Sequence, residues 1–125
     1  MDAFHSSLMS FSYEHEPITW EDGSALVTNI TIGSGCYDNC VITVFNIDLC
    51  VGWDEFLTKG DSIICEGEPG REVLTMSHTG GCITVQAMFG GLTVTRHLCW
   101  SQIKETVMKM RDDAIQLGSS LFFVF

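Results

Sequence analysis

The sequence predicts an α+β domain: an antiparallel sheet of about six or seven strands with one C-terminal helix packed on one face. Three observations predict it. Short β-branched runs alternate apolar and polar residues between glycine-rich breaks from Thr19 to Leu98. Gly90-Gly91 separates two of these runs with the spacing of a two-residue hairpin loop. Beyond Trp100 the apolar period lengthens from two residues to that of a helix.

Each element has a local reason. Residues 1–17 are polar with scattered aromatics and read as an N-terminal arm, poorly ordered or separately docked; Phe4, Leu8 and Phe11 have the spacing of a short amphipathic helix, whereas Phe11 and Tyr13 alternate with Ser12 and Glu14 as in a strand. Residues 25–32 alternate, with Leu26, Ile30 and Ile32 on one face, and Gly33-Ser34-Gly35 ends the run. Residues 41–47 form the next strand, with Val41, Phe45 and Ile47 expected on the inner face. Residues 52–57 read as a loop or a single helical turn. Residues 62–66 and 72–77 follow as strands around the turn Gly67-Glu68-Pro69-Gly70. Residues 82–88 and 92–98 are the hairpin pair.

In the helix, Ile103, Val107, Met110, Ala114 and Leu117 fall on one stripe. That stripe is expected to lie against Ile83, Val85, Leu92 and Val94. Ser101 is the expected N-cap and Gly118 the expected C-terminal stop. Leu121 to Phe125 then reads as a last short strand or an apolar plug.

With 125 residues, 46% of them hydrophobic, the chain has the length and apolar content of a single domain, residues 1–125. The longest apolar run, Leu121 to Phe125, is far short of the roughly 20 residues a membrane span needs. The N-terminus lacks the basic and apolar regions of a secretory signal. The expected location is therefore cytoplasmic, in a bacterium or an infected host cell. In such a compartment the cysteines at 36, 40, 50, 65, 82 and 99 are expected as reduced thiols. Cys50, Cys65, Cys82 and Cys99 recur at about the length of a strand and a turn, which would bring them near one another across a sheet.

Charge is the least ordinary property. Six bases face 16 acids, for a formal net charge of −10. Residues 1–72 hold 13 acids against Lys59 and Arg71, a net −11, while residues 73–125 hold three acids and four bases, a net +1. A nucleic-acid binder carries a basic face, so direct binding of DNA or RNA is not expected. An acidic half suits a basic protein partner such as a toxin, a nuclease or another nucleic-acid-binding protein.

Enzyme signatures are missing from the sequence: no phosphate-binding loop, dinucleotide fingerprint, nucleophile elbow or His-Glu-x-x-His pair occurs. The chain is therefore read as a non-enzymatic acidic inhibitor or antidote. It would resemble bacterial immunity or viral anti-defence proteins in kind, occluding a basic surface, with nucleic-acid mimicry as one means. No cofactor is expected. Candidate contacts are Asp38, Asp48, Asp54, Glu55, Asp61, Glu66 and Glu68, with Trp53 as an aromatic anchor among acids.

Two alternatives stand beside this reading. Cys36, Cys40, His78 and Cys82 are soft ligands in two glycine-rich turns and could hold tetrahedral zinc. His78 and Cys82 could also act as base and nucleophile. The other alternative is a structural subunit that self-assembles through sheet edges and Leu121–Phe125, as a homodimer or larger.

Overall fold

The computed structural model describes residues 10–34, 37–66, 72–89 and 91–121. Two antiparallel sheets and a long C-terminal helix make up an α+β architecture. The first sheet contains β1 (Ser10–Trp20), β2 (Gly23–Ser34) and β3 (Tyr37–Phe45), in that order. The second contains β4 (Ile63–Glu66), β5 (Glu72–Thr79), β6 (Cys82–Phe89) and β7 (Leu92–Cys99), again in chain order. Between the sheets lie a 3-10 turn (Ile47–Leu49) and a short helix, α1 (Trp53–Lys59). The second helix, α2 (Trp100–Leu121), closes the described chain.

The single six- or seven-stranded sheet is thus corrected to two sheets, of three and four strands. The break lies after β3. Asn46 takes a left-handed conformation there, with φ 51° and ψ 50°. Its side-chain oxygen accepts from the Leu26 amide at 3.0 Å, and its own amide donates to the Leu26 carbonyl at 2.7 Å. The chain therefore leaves the ladder sharply, enters the 3-10 turn and α1, and returns as β4 beside β3 without continuing its ladder.

Other expectations also change. Residues 10–17 are not a loose arm: they take the strand alternative that the Phe11 and Tyr13 alternation allows and belong to β1, which pairs with β2 along its whole length from Ser10↔Gly33 to Trp20↔Gly23. On β3, which ends at Phe45 rather than Ile47, the inner face is one residue out of phase with the expected Val41 and Phe45, while Ile47 is buried in the 3-10 turn that follows. Ile42 and Val44 are buried, while Val41 is 54% exposed. The run 41–45 is apolar on both faces, so alternation alone cannot choose; pairing of Ile42 with Ile30 and Val44 with Thr28 does. A register shift at Gly33 accommodates Asn39, whose side chain occupies the space a Cβ would need.

The helix stripe is correct in composition and wrong in its partner. Ile103, Val107, Met110 and Ala114 are buried and Leu117 packs on the core edge. They lie mainly on β1, β2 and the 3-10 turn, and only slightly on β7. Leu92 is 72% exposed. The cause is connectivity: α2 starts at Trp100, directly after Cys99 of β7, with no reversing loop to fold it back over its own hairpin. Ser101 is accordingly the second helical residue rather than the cap. Gly118 lies inside α2 rather than past its end, and a Cβ there would run into the Asp48 carboxylate. Residues 122–125 lie outside the described residues.

One apolar cluster joins both sheets and both helices, from Phe11, Leu26 and Ile30 through Phe56, Leu74 and Ile83 to Val107 and Met110. Among the described residues no helix is long and apolar enough to cross a membrane.

Candidate functional site

The 3-10 turn, the start of α1 and one flank of α2 enclose an open cleft of about 340 Å³. Asp48, Cys50 and Val51 come from the turn and the residues after it, Trp53, Asp54 and Glu55 from the first turn of α1, and Arg111 and Ile115 from α2. Gly52, at φ 99°, supplies the left-handed link that starts α1 at Trp53.

Trp53 forms the inner wall. Its ring is only 5% exposed, meets Phe56 edge-on at 6.0 Å, and donates from Nε1 to the Ile47 carbonyl at 2.9 Å. It is a fixed core ring that offers an edge to the cleft, not a free aromatic anchor.

The rim is acidic. The Asp54 side chain is 88% exposed and receives Arg111 at 3.2 Å, while the same guanidinium reaches Asp112 at 2.9 Å. Three carboxylates, Asp48, Asp54 and Glu55, therefore line the cleft against the one guanidinium of Arg111.

Asp48 differs from the other two. It is half-buried, and its Oδ1 is shielded from solvent without a hydrogen-bond partner. Burial pushes the Asp48 carboxyl above its ordinary value, against its own main-chain amide and His15, which act to lower it. Asp48 thus carries one buried, unsatisfied acceptor oxygen in a residue that lines the cleft.

Of the residues singled out in the sequence, Asp48, Trp53, Asp54 and Glu55 meet at this cleft. Asp61 is exposed just beyond α1 and does not line it. The side chains of Asp38 and Glu66, and the whole of Glu68, lie outside the described residues. Arg111 and Ile115 complete the cleft from the far end of the chain. Their i, i+4 spacing beside the apolar stripe was the available signal, but nothing in it names the partner element.

The zinc set does not assemble from its described members. Cys36 lies outside the described residues. His78 pairs with Ile83 and Cys82 with Thr79, so their side chains point to opposite faces of the same hairpin. The geometry separates the proposed base and nucleophile for the same reason.

His78 has a packing role instead. Its Nε2 donates to the Phe56 carbonyl at 3.0 Å, near the end of α1. Its ring sits 4.8 Å from Phe56 and 4.9 Å from Trp100. Among the described residues no group of three or more His, Cys, Asp or Glu side chains is arranged to hold a metal ion.

No family model matches the chain, and no curated protein or solved structure matches it.

Proposed function

We propose that this chain is a non-enzymatic acidic inhibitor or antidote, of the immunity or anti-defence kind, that occludes a basic surface of a protein partner. The observation that carries the reading is Asp48, a shielded carboxylate with an unsatisfied oxygen, set in an open cleft beside Asp54 and Glu55. That arrangement suits an arginine or lysine side chain of the partner. The cation would enter over the Trp53 edge and pair with the exposed Asp54 carboxylate, displacing Arg111 or sharing that carboxylate with it, while the negative charge of Asp48 and Glu55 favours its approach.

The exposed acids of the first half, including Glu14, Glu16, Glu21, Asp22 and Asp61, add a broad negative field that steers such a partner inward. Repeated surface carboxylates are also what nucleic-acid mimicry requires.

The test compares the wild-type chain with the combined variant Asp48→Asn, Asp54→Asn, Glu55→Gln. Each is immobilised and exposed to extract of the native host, and the captured protein is then purified for kinetics. A basic partner should bind the wild type, lose at least about tenfold in affinity on the variant, and associate more slowly as salt rises, because exposed charges are screened beyond roughly 8–10 Å at 0.1–0.15 M salt. Equal affinity for the variant, or an association rate flat with salt, would overturn the reading.

A further inference from the structure

We propose that Cys82 and Cys99 form a redox-active dithiol on the outer face of the second sheet, one that exchanges with low-molecular-mass disulfides. The site is independent of the acidic cleft.

The backbone brings the two thiols together. Cys82 opens β6, Cys99 ends β7, and the register pairs them directly. Cys82 also pairs with Thr79 across the two-residue Gly80-Gly81 loop, so its main-chain groups point toward β5. Toward β7 it therefore makes no ladder bond, and the flanking bond runs from the Trp100 amide to the Gly81 carbonyl at 3.1 Å. Side chains of such a non-hydrogen-bonded pair lie on the same face with Cα atoms about 4.5 Å apart. Disulfides accept Cα separations of about 4.4–6.8 Å, so closure needs no rearrangement of the strands.

Chemistry distinguishes the two sulfurs. Cys99 immediately precedes the first residue of α2, and its Sγ lies 3.1 Å from the Ser101 hydroxyl. That hydroxyl is the largest influence and holds the Cys99 thiol below its ordinary value, desolvation opposing it and the Ser101 and Gln102 amides adding to it. Cys99 is thus the attacking thiolate and Cys82 the resolving thiol. Both are exposed, so a small disulfide reaches them from solvent.

The other close pair behaves oppositely. Cys65 is buried, hydrogen-bonded to Cys50, and pushed far above the ordinary thiol value by that bond and by burial. It stays protonated and unreactive.

The exchange has two steps. The Cys99 thiolate attacks one sulfur of glutathione disulfide, forming a mixed disulfide and expelling one glutathione thiolate. Cys82 then gives up its proton and attacks Cys99 Sγ, releasing the second glutathione thiolate and closing Cys82–Cys99. Two protein thiols are oxidised, one small disulfide is reduced to two thiols, and the two cysteine protons end on glutathione.

The full chain is incubated with glutathione disulfide, quenched, alkylated under denaturing conditions and weighed intact. Before treatment, all six cysteines should alkylate. After treatment two alkylation sites should disappear with no glutathione retained, peptide mapping should link Cys82 to Cys99, and reductant should restore both. Cys82→Ser should stop at one glutathionyl group on Cys99. Both cysteines are exposed, and an unchanged melting curve confirms that the serine variant folds. All six cysteines still alkylating after treatment, or a bridge mapped to Cys50–Cys65, would overturn the proposal.

Discussion

His15 Nε2 donates to the main-chain carbonyl of Met110 at 2.9 Å, and so ties the first sheet to the middle of α2. Because a carbonyl can only accept, Nε2 carries the hydrogen. Nδ1 then meets the buried Thr28 hydroxyl at 2.7 Å. One imidazole thus joins β1, β2 and α2. Tyr13 extends the seam two residues along β1, where its hydroxyl donates to Asp113 Oδ2 at 2.8 Å.

His15→Ala should therefore weaken the fold without changing it. It leaves the Thr28 hydroxyl buried without its partner, a cost of about 1–3 kcal/mol for an unsatisfied buried polar group. Urea unfolding should show a lower midpoint with an unchanged slope. An unmoved midpoint would mean the bridge contributes nothing.

Val107 is fully buried on the α2 stripe. Val107→Asp places a carboxylate among apolar neighbours with no cation to pair it, at a cost of several kcal/mol in a fold whose whole stability is about 5–15 kcal/mol. The variant should lose its cooperative melting transition or express insolubly. If the stripe served instead to dock a partner, the variant would melt like the wild type and lose only that partner.

The elements were more legible than their arrangement. Alternation and the Gly90-Gly91 loop located β6 and β7, and the apolar stripe located α2, because these patterns are local. The division into two sheets depends on the left-handed Asn46, which reads in sequence as any polar loop residue. β1 was obscured because its outward residues, including Glu14 and Glu16, and the exposed end at Pro17, Ile18 and Trp20 hide the packed set Phe11, Tyr13 and His15. The cleft was half legible: Asp48, Trp53, Asp54 and Glu55 are near neighbours in sequence, whereas Arg111 reaches Asp54 across 57 positions. Gly118 misled for a different reason. A glycine inside a helix looks like a stop signal, but here it makes room for Asp48.

Asp48→Asn should stabilise the chain at neutral pH. Burial raises the Asp48 carboxyl in the folded state, so folding binds its proton more tightly than the unfolded chain does. Stability contributed by this group is therefore lost as pH rises, from the ordinary carboxylate value up through the raised folded value, and the cost persists at pH 7. Asparagine keeps the shape and removes the charge. Its urea midpoint should exceed that of the wild type near neutrality and converge with it below the ordinary carboxylate range. A wild type more stable than the variant at pH 7 would show that the charge is already compensated within the fold.

Ser101→Ala should move the reactivity of Cys99 without touching the fold. The Ser101 hydroxyl is the largest influence holding the Cys99 thiol low, with the Ser101 and Gln102 amides second to it. Alanine keeps both amides, so the thiol should rise only part of the way to its ordinary value. Thiolate, not thiol, reacts with iodoacetamide, so the rate at Cys99 climbs with pH through that value. Site-resolved alkylation, read by peptide mass, should place the midpoint of the climb at Cys99 at higher pH in the variant. The helix loses no hydrogen bond of its own, and the melting temperature should hold. A Cys99 midpoint unchanged by the substitution would mean that the helix amides alone set the thiolate, and the 3.1 Å contact with Ser101 would carry no chemical weight.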